Sequence, residues 1–344
     1  MTTRLSDLTT LRVGGPAREL VVAEDEAALV DAVRTADLAG TPVLVLAGGS
    51  NVLVGDDGFD GTVVLVRSTG VRTESDSCGG AWVSVAAGES WDDLVARAVR
   101  EGWSGIEALS GIPGTAGATP IQNVGAYGQE VADVVARVRT WDRRERTQRT
   151  FAAADCGFGY RTSRFKQEPG RYVVLEVILQ LPLSPMSTPI RYAELARALG
   201  REIGDKAPLG DVREAVLALR AGKGMVLDAA DHDTWSAGSF FTNPILDAVG
   251  AAALPVDAPR FDAGDGRVKT SAAWLIEHAG FGPGYGAGAA TLSTKHVLAL
   301  TNRGGARSSE LVALAREVRD GVRRSLGIVL EAEPVLVGCS LDDA

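Results

Sequence analysis

The chain has 344 residues, a net charge of −9 and 45% hydrophobic residues, enough for two or three domains with substantial cores. Its acidic balance argues against nucleic-acid binding, which normally needs a basic surface. Cys78, Cys156 and Cys339 are too few and too far apart for a disulfide framework or a zinc site. We therefore expect a reducing compartment and no metal site. Residues 1–15 lack the apolar core of a secretion signal, and no long apolar run is present, so we expect a cytoplasmic protein without a membrane span.

The first third of the chain alternates between strand and helix patterns. Residues 19–40 predict a strand followed by a helix, and residues 42–49 predict a buried strand that ends in glycines. Further strands are predicted at 61–66 and 81–88. Residues 90–102 predict a helix capped by Ser90 and stopped by Gly102.

The rest of the chain begins with a glycine-rich segment and then returns to regular patterns. The predicted strands are 136–143, 172–183, 296–302 and 328–338, and the predicted helices are 190–200, 211–223, 270–281 and 308–327. Residues 184–189 and 228–235 have the composition of loops or domain boundaries.

Two glycine-rich segments predict ligand loops. In "AGGSNVLV" (47–54) a strand ends at Gly48 and Gly49, whose backbone N–H groups can turn towards an anion, with Ser50 and Asn51 as further donors. The segment "SGIPGTAGATPIQNVGAYGQE" (110–130) has too few charges for a solvated linker and suits a flat, apolar ligand with a phosphate tail. A tight turn and a structural loop are the alternatives. Together the two segments favour FAD, because neither is a Rossmann or Walker loop.

Three further segments carry candidate reactive groups. "FGYRTSRFK" (158–166) places Arg161 among aromatics, where its fork suits a carboxylate or phosphate. "SAGSFFTNP" (236–244) holds Ser239 without a histidine nearby, so it is either structural or a proton donor to a strongly basic carbon. In "LEAEPVLVG" (330–338), Glu331 and Glu333 alternate on a predicted strand and share one face; an edge exposed to solvent is the alternative.

Taken in order, these segments together with "TLRVGGPA" (10–17) and "KTSAAWLIEHAGF" (269–281) resemble the UDP-N-acetylenolpyruvoylglucosamine reductase family over nearly the whole chain. The resemblance implies an α+β fold, with a two-part FAD-binding domain of the PCMH or vanillyl-alcohol-oxidase type and a C-terminal α+β substrate domain. We expect FAD-binding parts at 1–68 and 69–208 and a substrate domain at 209–344. The family reduces UDP-N-acetylglucosamine enolpyruvate to UDP-N-acetylmuramate for the cell wall, with non-covalent FAD and with NADPH as hydride donor.

The resemblance also implies roles for individual residues. Ser239 would donate the proton, Arg161 would polarise the substrate carboxylate, and Glu333 would act as an acid with a raised pKa. Tyr192 would close over the UDP group, as in the family's tyrosine-loop subtype, and Lys223 and Asn243 would lie near the diphosphate. The residues implied to face FAD are Gly48, Gly49, Ser50, Asn51, Ala118, Thr119, Pro120, Ile121, Gly125 and Arg220. We further expect a monomer.

The chain departs from the family pattern at Pro334 and Val335, where members often have Glu-Val-Arg. Any contact made by that arginine must be absent or replaced. The spacing between Lys223 and Ser239 is also longer than the pattern.

Two rival functions remain compatible with parts of the sequence. A sugar-alcohol oxidase of the same fold would often tether FAD through histidine or cysteine, but no histidine precedes His232 and the Gly-Gly-Ser-Asn loop holds no cysteine. A non-catalytic UDP-sugar binding module would need the glycine-rich loops but not Ser239, Arg161 and Glu333 together.

Overall fold

The computed structural model describes residues 3–76 and 79–342, so Cys78 lies outside the described residues. The chain divides into two compact units. The larger unit comprises residues 17–48 and 60–222, and the smaller unit comprises residues 1–16, 49–59 and 223–344. The predicted division at 68/69 and 208/209 stays a prediction.

The larger unit is built on a five-stranded antiparallel sheet. Its strand order is β10-β9-β11-β6-β5, formed by β5 (Val71–Asp76), β6 (Gly80–Ala86), β9 (Val135–Asp142), β10 (Thr147–Ala152) and β11 (Tyr172–Leu181). A three-stranded sheet has the order β1-β4-β2, with β1 (Ala17–Ala23), β2 (Val43–Leu46) and β4 (Phe59–Val66). A short hairpin pairs β7 (Gly125–Ala126) with β8 (Gln129–Glu130). The helices of this unit are α1 (Glu26–Leu38), α2 (Trp91–Glu101), α3 (Arg164–Gln167), α4 (Ala193–Ala198) and α5 (Leu209–Gly222).

Helix α2 shows how local sequence sets an element of this unit. The Ser90 hydroxyl accepts a hydrogen bond from the Asp93 N–H, and Gly102 ends the helix in the left-handed region at φ 73°. The buried side chains of Trp91, Leu94 and other residues on one face join the main hydrophobic core. The predicted helix and both of its caps are therefore confirmed.

The smaller unit combines the chain ends around its own hydrophobic core. Its helices are α6 (Ala248–Ala252), α7 (Ala272–His278) and α8 (Ser308–Leu326). Its strands are β3 (Val52–Val54), β12 (Ile245–Leu246), β13 (Phe261–Asp262), β14 (Val268–Lys269), β15 (Gly286–Ala287), β16 (Ala290–Leu292), β17 (Leu300–Asn302) and β18 (Val335–Val337). Strand β18 pairs in parallel with β3, which brings the C-terminal segment beside the Gly-Gly-Ser-Asn loop.

Several predicted elements are shorter in the structure. The strand predicted at 42–49 is reduced to β2 and the helix predicted at 270–281 is reduced to α7. Three further elements are also shorter. The helix predicted at 190–200 is reduced to α4, and Tyr192 precedes its first residue. The strand predicted at 296–302 is reduced to β17, because the Ala299 N–H donates to the His296 carbonyl in a turn. The strand predicted at 328–338 is reduced to β18, which starts directly after Pro334.

Within residues 3–76 and 79–342, no helix is both long and apolar enough to cross a membrane. Over the same residues, no group of three or more His, Cys, Asp and Glu side chains is arranged to hold a metal ion.

Candidate active site

Ser239 and Glu333 lie on adjacent backbone segments of the smaller unit. The Glu333 N–H donates to the Phe240 carbonyl at 2.8 Å, and the Thr242 N–H donates to the Glu331 carbonyl at 3.0 Å. On its other side, the Phe240 N–H donates to the Leu298 carbonyl at 2.7 Å. The segment that follows Ser239 is thus held between two neighbours by main-chain hydrogen bonds.

The two phenylalanines after Ser239 anchor this segment in the core. Phe240 and Phe241 are each 1% exposed, and their rings meet edge to face with centroids 5.1 Å apart. Ser239 itself is half-buried, and Gly238 before it adopts φ 72°. The Gly238 N–H donates to the Ser236 hydroxyl at 3.2 Å, and the nearest histidine in the sequence, His232, lies seven residues before Ser239. This environment suits a proton donor better than a nucleophile.

The two glutamates differ in environment, and they do not belong to one continuous strand as predicted. Ala332 between them bridges antiparallel to Phe241, whereas the residues after Pro334 pair in parallel with β3. Proline has no N–H to donate to a ladder, which is why the strand changes partner there. Glu331 is exposed and Glu333 is half-buried, so burial favours Glu333 as the candidate acid.

Asn51 links the Gly-Gly-Ser-Asn loop to Glu333. Its side-chain Nδ2 lies 3.4 Å from the Glu333 carbonyl oxygen, and its own carbonyl accepts from the Val335 N–H at 3.0 Å. Residue 335, where the family pattern has arginine, is an exposed valine. Its backbone N–H makes the hydrogen bond to the Asn51 carbonyl. The predicted loop residue and the predicted acid are therefore neighbours.

The predicted diphosphate residues have different surroundings. The Asn243 Oδ1 accepts from the Ala272 N–H at 2.9 Å, at the start of α7. Lys223 is half-buried and directly follows α5, at the first residue of the last segment of the smaller unit.

The two predicted ligand loops meet in the larger unit at Gly48 and Gly114. A Cβ placed on Gly48 would lie 2.6 Å from the Gly114 Cα, closer than real side chains come, so the backbones touch here. Next to this contact, the Thr115 hydroxyl is buried and has no hydrogen-bond partner among the described residues. A buried hydroxyl left in this way suits a polar ligand group.

Residues 118–121 continue this second loop. The loop is ordered by its own hydrogen bonds, with the Thr119 hydroxyl donating to the Ala116 carbonyl at 2.8 Å. Pro120 is buried, Ala118 is half-buried, and Ile121 is 36% exposed. The Ser163 hydroxyl donates to the Ile121 carbonyl, which ties the loop to the segment that holds Arg161.

Gly49 has a structural reason to be glycine. It adopts φ 59°, and a Cβ on it would lie 2.0 Å from the Leu8 carbonyl oxygen. The Thr10 N–H donates to the Gly49 carbonyl at 3.1 Å. The chain's own N-terminal segment therefore requires glycine at this position, whatever ligand the loop holds. Ser50 beside it is half-buried.

Arg161 stands in a tight turn in a strained backbone conformation. Gly159 and Thr162 exchange main-chain hydrogen bonds at 3.0 and 3.3 Å, and Arg161 in the turn has φ 51°. A non-glycine residue in this region costs about 1–3 kcal/mol, and such residues cluster at active sites, ligand clamps and switch regions. Its Nη2 donates to the Gly125 carbonyl at 2.8 Å, so the predicted cofactor residue Gly125 also orients the predicted catalytic arginine.

Arg220 is near an acidic anchor of the second loop. Asp92 on α2 accepts a bidentate pair from Arg213 at 2.7 and 2.9 Å and also accepts from the Gly111 N–H at 2.6 Å. Burial lowers the pKa of Arg220, which the charges of Tyr127 and Asp92 oppose. Arg220 is half-buried, and its guanidinium has the geometry to bind a phosphate.

Tyr192 contacts the second loop rather than standing apart from it. Its ring meets Tyr127 edge to face, with centroids 5.6 Å apart and planes at 90°. Tyr192 remains 47% exposed. An aromatic that is half in solvent can exchange this contact for one with a ligand.

Asn123 and Asp92 were not among the residues predicted from the sequence. Asn123 adopts φ 49° and is 1% exposed inside the second loop. The residue type was a signal for a left-handed turn at this position, since asparagine is among the few non-glycine residues that tolerate this conformation. Asp92 lies in the first turn of α2, where an acidic residue is favourable in any helix, and its hydrogen bond with Gly111 depends on the tertiary fold.

Comparison with known proteins gives a consistent result along the chain. A family model described as "FAD binding domain" matches residues 17–150, and one described as "UDP-N-acetylenolpyruvoylglucosamine reductase, C-terminal domain" matches residues 230–337. The UDP-N-acetylenolpyruvoylglucosamine reductase of Cutibacterium acnes is 61% identical over 340 residues, which cover 98% of this chain and 90% of the relative. The chain belongs to the UDP-N-acetylenolpyruvoylglucosamine reductase family.

Further comparisons agree with this family. The reductase of Streptomyces coelicolor is 55% identical over 348 residues, covering 98% of this chain and 90% of that protein. The crystal structure of UDP-N-acetylenolpyruvylglucosamine reductase from Thermus caldophilus superposes with a TM-score of 0.67 at 27% identity and covers 98% of both chains. The predicted α+β fold with an FAD-binding domain is confirmed, as is an FAD-containing reductase that uses NADPH. The oxidase and the binding-module alternatives are not favoured.

The residues of the larger unit fit FAD on structural grounds. The touching backbones at Gly48 and Gly114 leave no room for side chains, and the buried Thr115 hydroxyl is a polar group without a protein partner among the described residues. Non-covalent binding also agrees with the chemistry present, because Cys156 is buried and burial raises the pKa of its thiol to about 11.

Proposed function

We propose that this chain saturates the enolpyruvyl double bond of UDP-N-acetylglucosamine enolpyruvate to give UDP-N-acetylmuramate, in the cytoplasm and as a monomer. The product would enter peptidoglycan synthesis and so serve cell-wall growth, cell shape and cell division. Bound FAD supplies the hydride, after reduction by NADPH. The protein must then bind the substrate, stabilise the charge that develops on it, and deliver one proton.

Ser239 is proposed to deliver that proton. Addition of hydride to one carbon of the double bond leaves an enolate on the other, and an enolate is basic enough to take a proton from a hydroxyl. The Ser239 O–H bond breaks, a C–H bond forms, and the serine is reprotonated from solvent. Its half-buried position and the absence of a histidine within four residues of it in the sequence support this role over a nucleophilic one.

Arg161 and Glu333 are proposed to stabilise the developing charge. A guanidinium can bind the substrate carboxylate with two parallel hydrogen bonds, where the enolate charge spreads. Glu333 would act in its protonated form, for which a raised pKa is needed and remains a prediction. Its half-buried position supports it over the exposed Glu331.

The remaining predicted residues are proposed to hold the ligands. Tyr192, Lys223 and Asn243 would bind the UDP part of the substrate, with the tyrosine assigned to the family's tyrosine-loop subtype. The residues proposed to face FAD are Gly48, Gly49, Ser50, Asn51, Ala118, Thr119, Pro120, Ile121, Gly125 and Arg220.

One observation carries the proposal furthest. The Glu333 backbone contacts both the residue that follows Ser239 and the side chain of Asn51. The proposed proton donor, acid and loop residue thus lie within one small region of the smaller unit, although they are far apart in sequence. This proximity supports the assignment of the three residues to one site.

The experiment that tests the function follows NADPH consumption by the purified protein with and without UDP-N-acetylglucosamine enolpyruvate. When the protein is unfolded and filtered, we expect the flavin absorbance to pass into the filtrate. We also expect NADPH oxidation that depends on the substrate, and a product that is heavier than the substrate by two hydrogen atoms. In D₂O, the carbon that receives the proton should carry deuterium. A rate of NADPH oxidation that does not change when the enolpyruvyl substrate is added would refute the proposal.

A further inference from the structure

The guanidinium of Arg161 is oriented by backbone carbonyl groups of the second loop. Its Nη2 donates to the Gly125 carbonyl at 2.8 Å, and its Nη1 lies 3.4 Å from the Asn123 carbonyl oxygen with donor geometry. Both acceptors belong to residues of the larger unit, as does Arg161. These two carbonyl groups therefore constrain the direction of the guanidinium.

The Asn123 side chain fixes that stretch of backbone. Its Nδ2 donates to the Glu130 Oε2 at 2.7 Å and to the Gly159 carbonyl at 3.1 Å. Its Oδ1 accepts from the Ala132 N–H at 3.0 Å. All three bonds belong to a side chain that is almost fully buried and whose backbone is left-handed at φ 49°.

Asn123 therefore acts on Arg161 in two ways, one direct and one through Gly159. Its carbonyl receives the guanidinium, and its amide holds Gly159, the residue that opens the turn containing Arg161. Few side chains could do both, because the position requires a left-handed backbone, two donors and one acceptor. Aspartate has the shape but lacks the donors, and glycine has the backbone freedom but no side chain.

The packing around Asn123 and Arg161 also favours glycine at position 125. A Cβ on Gly125 would lie 2.8 Å from the Glu130 Cγ and 3.3 Å from the Arg161 Nη1. The missing side chain leaves space for both the Glu130 stem, which bonds Asn123, and the guanidinium. The three groups form one packed arrangement around Arg161.

We propose that Asn123 is the positioning residue for Arg161 and acts on the reaction through the direction of its guanidinium. The proposal rests on the role proposed above for Arg161. A displacement of about 1 Å at a charged group that stabilises a transition state can cost about 100-fold in rate. Loss of Asn123 should therefore slow reduction of the substrate while leaving NADPH oxidation by the bound flavin unchanged.

A double-mutant cycle separates positioning from general stability. The variants are Asn123→Ala, Arg161→Ala and the double variant, all assayed as FAD-loaded protein for the NADPH step and, separately, for reoxidation by the enolpyruvyl substrate. Asn123→Asp is the second variant, because it keeps the shape and the Oδ1 acceptor but removes both donors. Melting temperature and flavin content report on folding.

Asn302 provides a matched control. It is also a buried asparagine, with Nδ2 donating to the Leu11 and Arg12 carbonyls at 3.1 and 3.2 Å and Oδ1 accepting from Gly304 and Ala306. It belongs to the smaller unit, whereas Arg161 belongs to the larger unit. Asn302→Ala should destabilise the protein, and any effect on the substrate step should be the same with or without Arg161.

We expect Asn123→Ala or Asn123→Asp to slow the substrate step by about 10- to 100-fold, mainly in kcat. In the Arg161→Ala background, the same change should cost less than about threefold, since there is no guanidinium left to position. Equal fold-losses with and without Arg161 would overturn the positioning role while leaving the proposed function standing. A normal substrate step in Arg161→Ala itself would instead overturn the proposed role of Arg161.

Discussion

The Glu333 N–H donates to the Phe240 carbonyl oxygen at 2.8 Å, and Phe240 directly follows Ser239. This single hydrogen bond joins segments more than 90 residues apart and sets the register between the proposed proton donor and the proposed acid. Phe240 and Phe241 keep that register by packing into the core of the smaller unit. Small displacements of either segment should therefore affect the reaction before they affect folding.

Replacement of Arg161 by lysine should slow the substrate step by about 100-fold or more. Lysine keeps the charge but cannot form the two parallel hydrogen bonds to a carboxylate, and it cannot reproduce the two bonds to the Asn123 and Gly125 carbonyls. The measurement is the rate at which substrate reoxidises NADPH-reduced enzyme. Arg164→Lys is the matched control, because Arg164 bonds the Asp155 carbonyl instead. Turnover of the Arg161→Lys variant within a few-fold of wild type would contradict the assigned role.

Replacement of Gly49 by alanine should destabilise the protein and weaken FAD retention. The new Cβ would meet the Leu8 carbonyl oxygen at 2.0 Å in a left-handed backbone. We expect a loss of about 3 kcal/mol or more in the free energy of unfolding, from backbone strain and overpacking together. Gly40→Ala isolates the strain, since Gly40 has φ 66° but nothing within 4 Å of its Cβ. Chemical denaturation gives the free energy of unfolding of both variants. Equal losses in the two would contradict the predicted clash between the new Cβ and the Leu8 carbonyl oxygen.

The buried Asp233 should make stability depend on pH. Burial alone would raise its pKa, but hydrogen bonds from Thr294 and the Arg303 guanidinium at 2.6 Å outweigh burial and hold the pKa below its ordinary value of 3.8. A lowered pKa in the folded state contributes stability above the ordinary pKa, and this contribution is lost as the pH falls through the lowered value.

The variant Asp233→Asn should therefore be less stable than wild type by about 2–4 kcal/mol at pH 7. The difference should shrink as the pH falls below 3.8. Denaturant titrations of both proteins over this range supply the measurement. Asp265→Asn is the control, because the Asp265 side chain is 91% exposed and should contribute nothing measurable. A difference that stays constant at all pH values would mean that the charge of Asp233 is irrelevant.

Elements with strong local signals could be predicted from the sequence. Helix α2 has a capping serine, acidic residues in its first turn and a terminal glycine, and its bounds agree with the prediction. The long amphipathic helix α8 was likewise predicted, over 308–327. The caps of α2 are the residues that flank it, whereas the first N–H groups of α8 donate to the distant Asp56 carboxylate. The apolar face of each helix is encoded in the helix's own sequence.

Long-range pairings could not be predicted in the same way. The segment 328–338 has the composition of one strand, yet it changes partner at Pro334, from residues 240–242 to β3. Nothing local to the segment specifies either partner. The same holds for Asn123, whose three side-chain bonds depend on Gly159, Glu130 and Ala132 meeting it in the folded chain.

The proposed site was selected through a family resemblance, and the structure adds the relationships among its residues. Ser239 and Glu333 are adjacent through the backbone, Asn51 contacts Glu333, and Gly125 orients Arg161. Spacing along the sequence contains none of these relationships. They provide the physical basis on which each role can be tested separately.

The most direct test of the central claim is the Ser239→Ala variant, assayed in two half-reactions under anaerobic conditions. NADPH should bleach its flavin at the wild-type rate, because Ser239 has no part in that step. Reoxidation by the enolpyruvyl substrate should slow by about 100- to 10,000-fold, the range expected for loss of a proton donor. Wild-type rates in both half-reactions would show that the proton comes from another group and would contradict the role of Ser239.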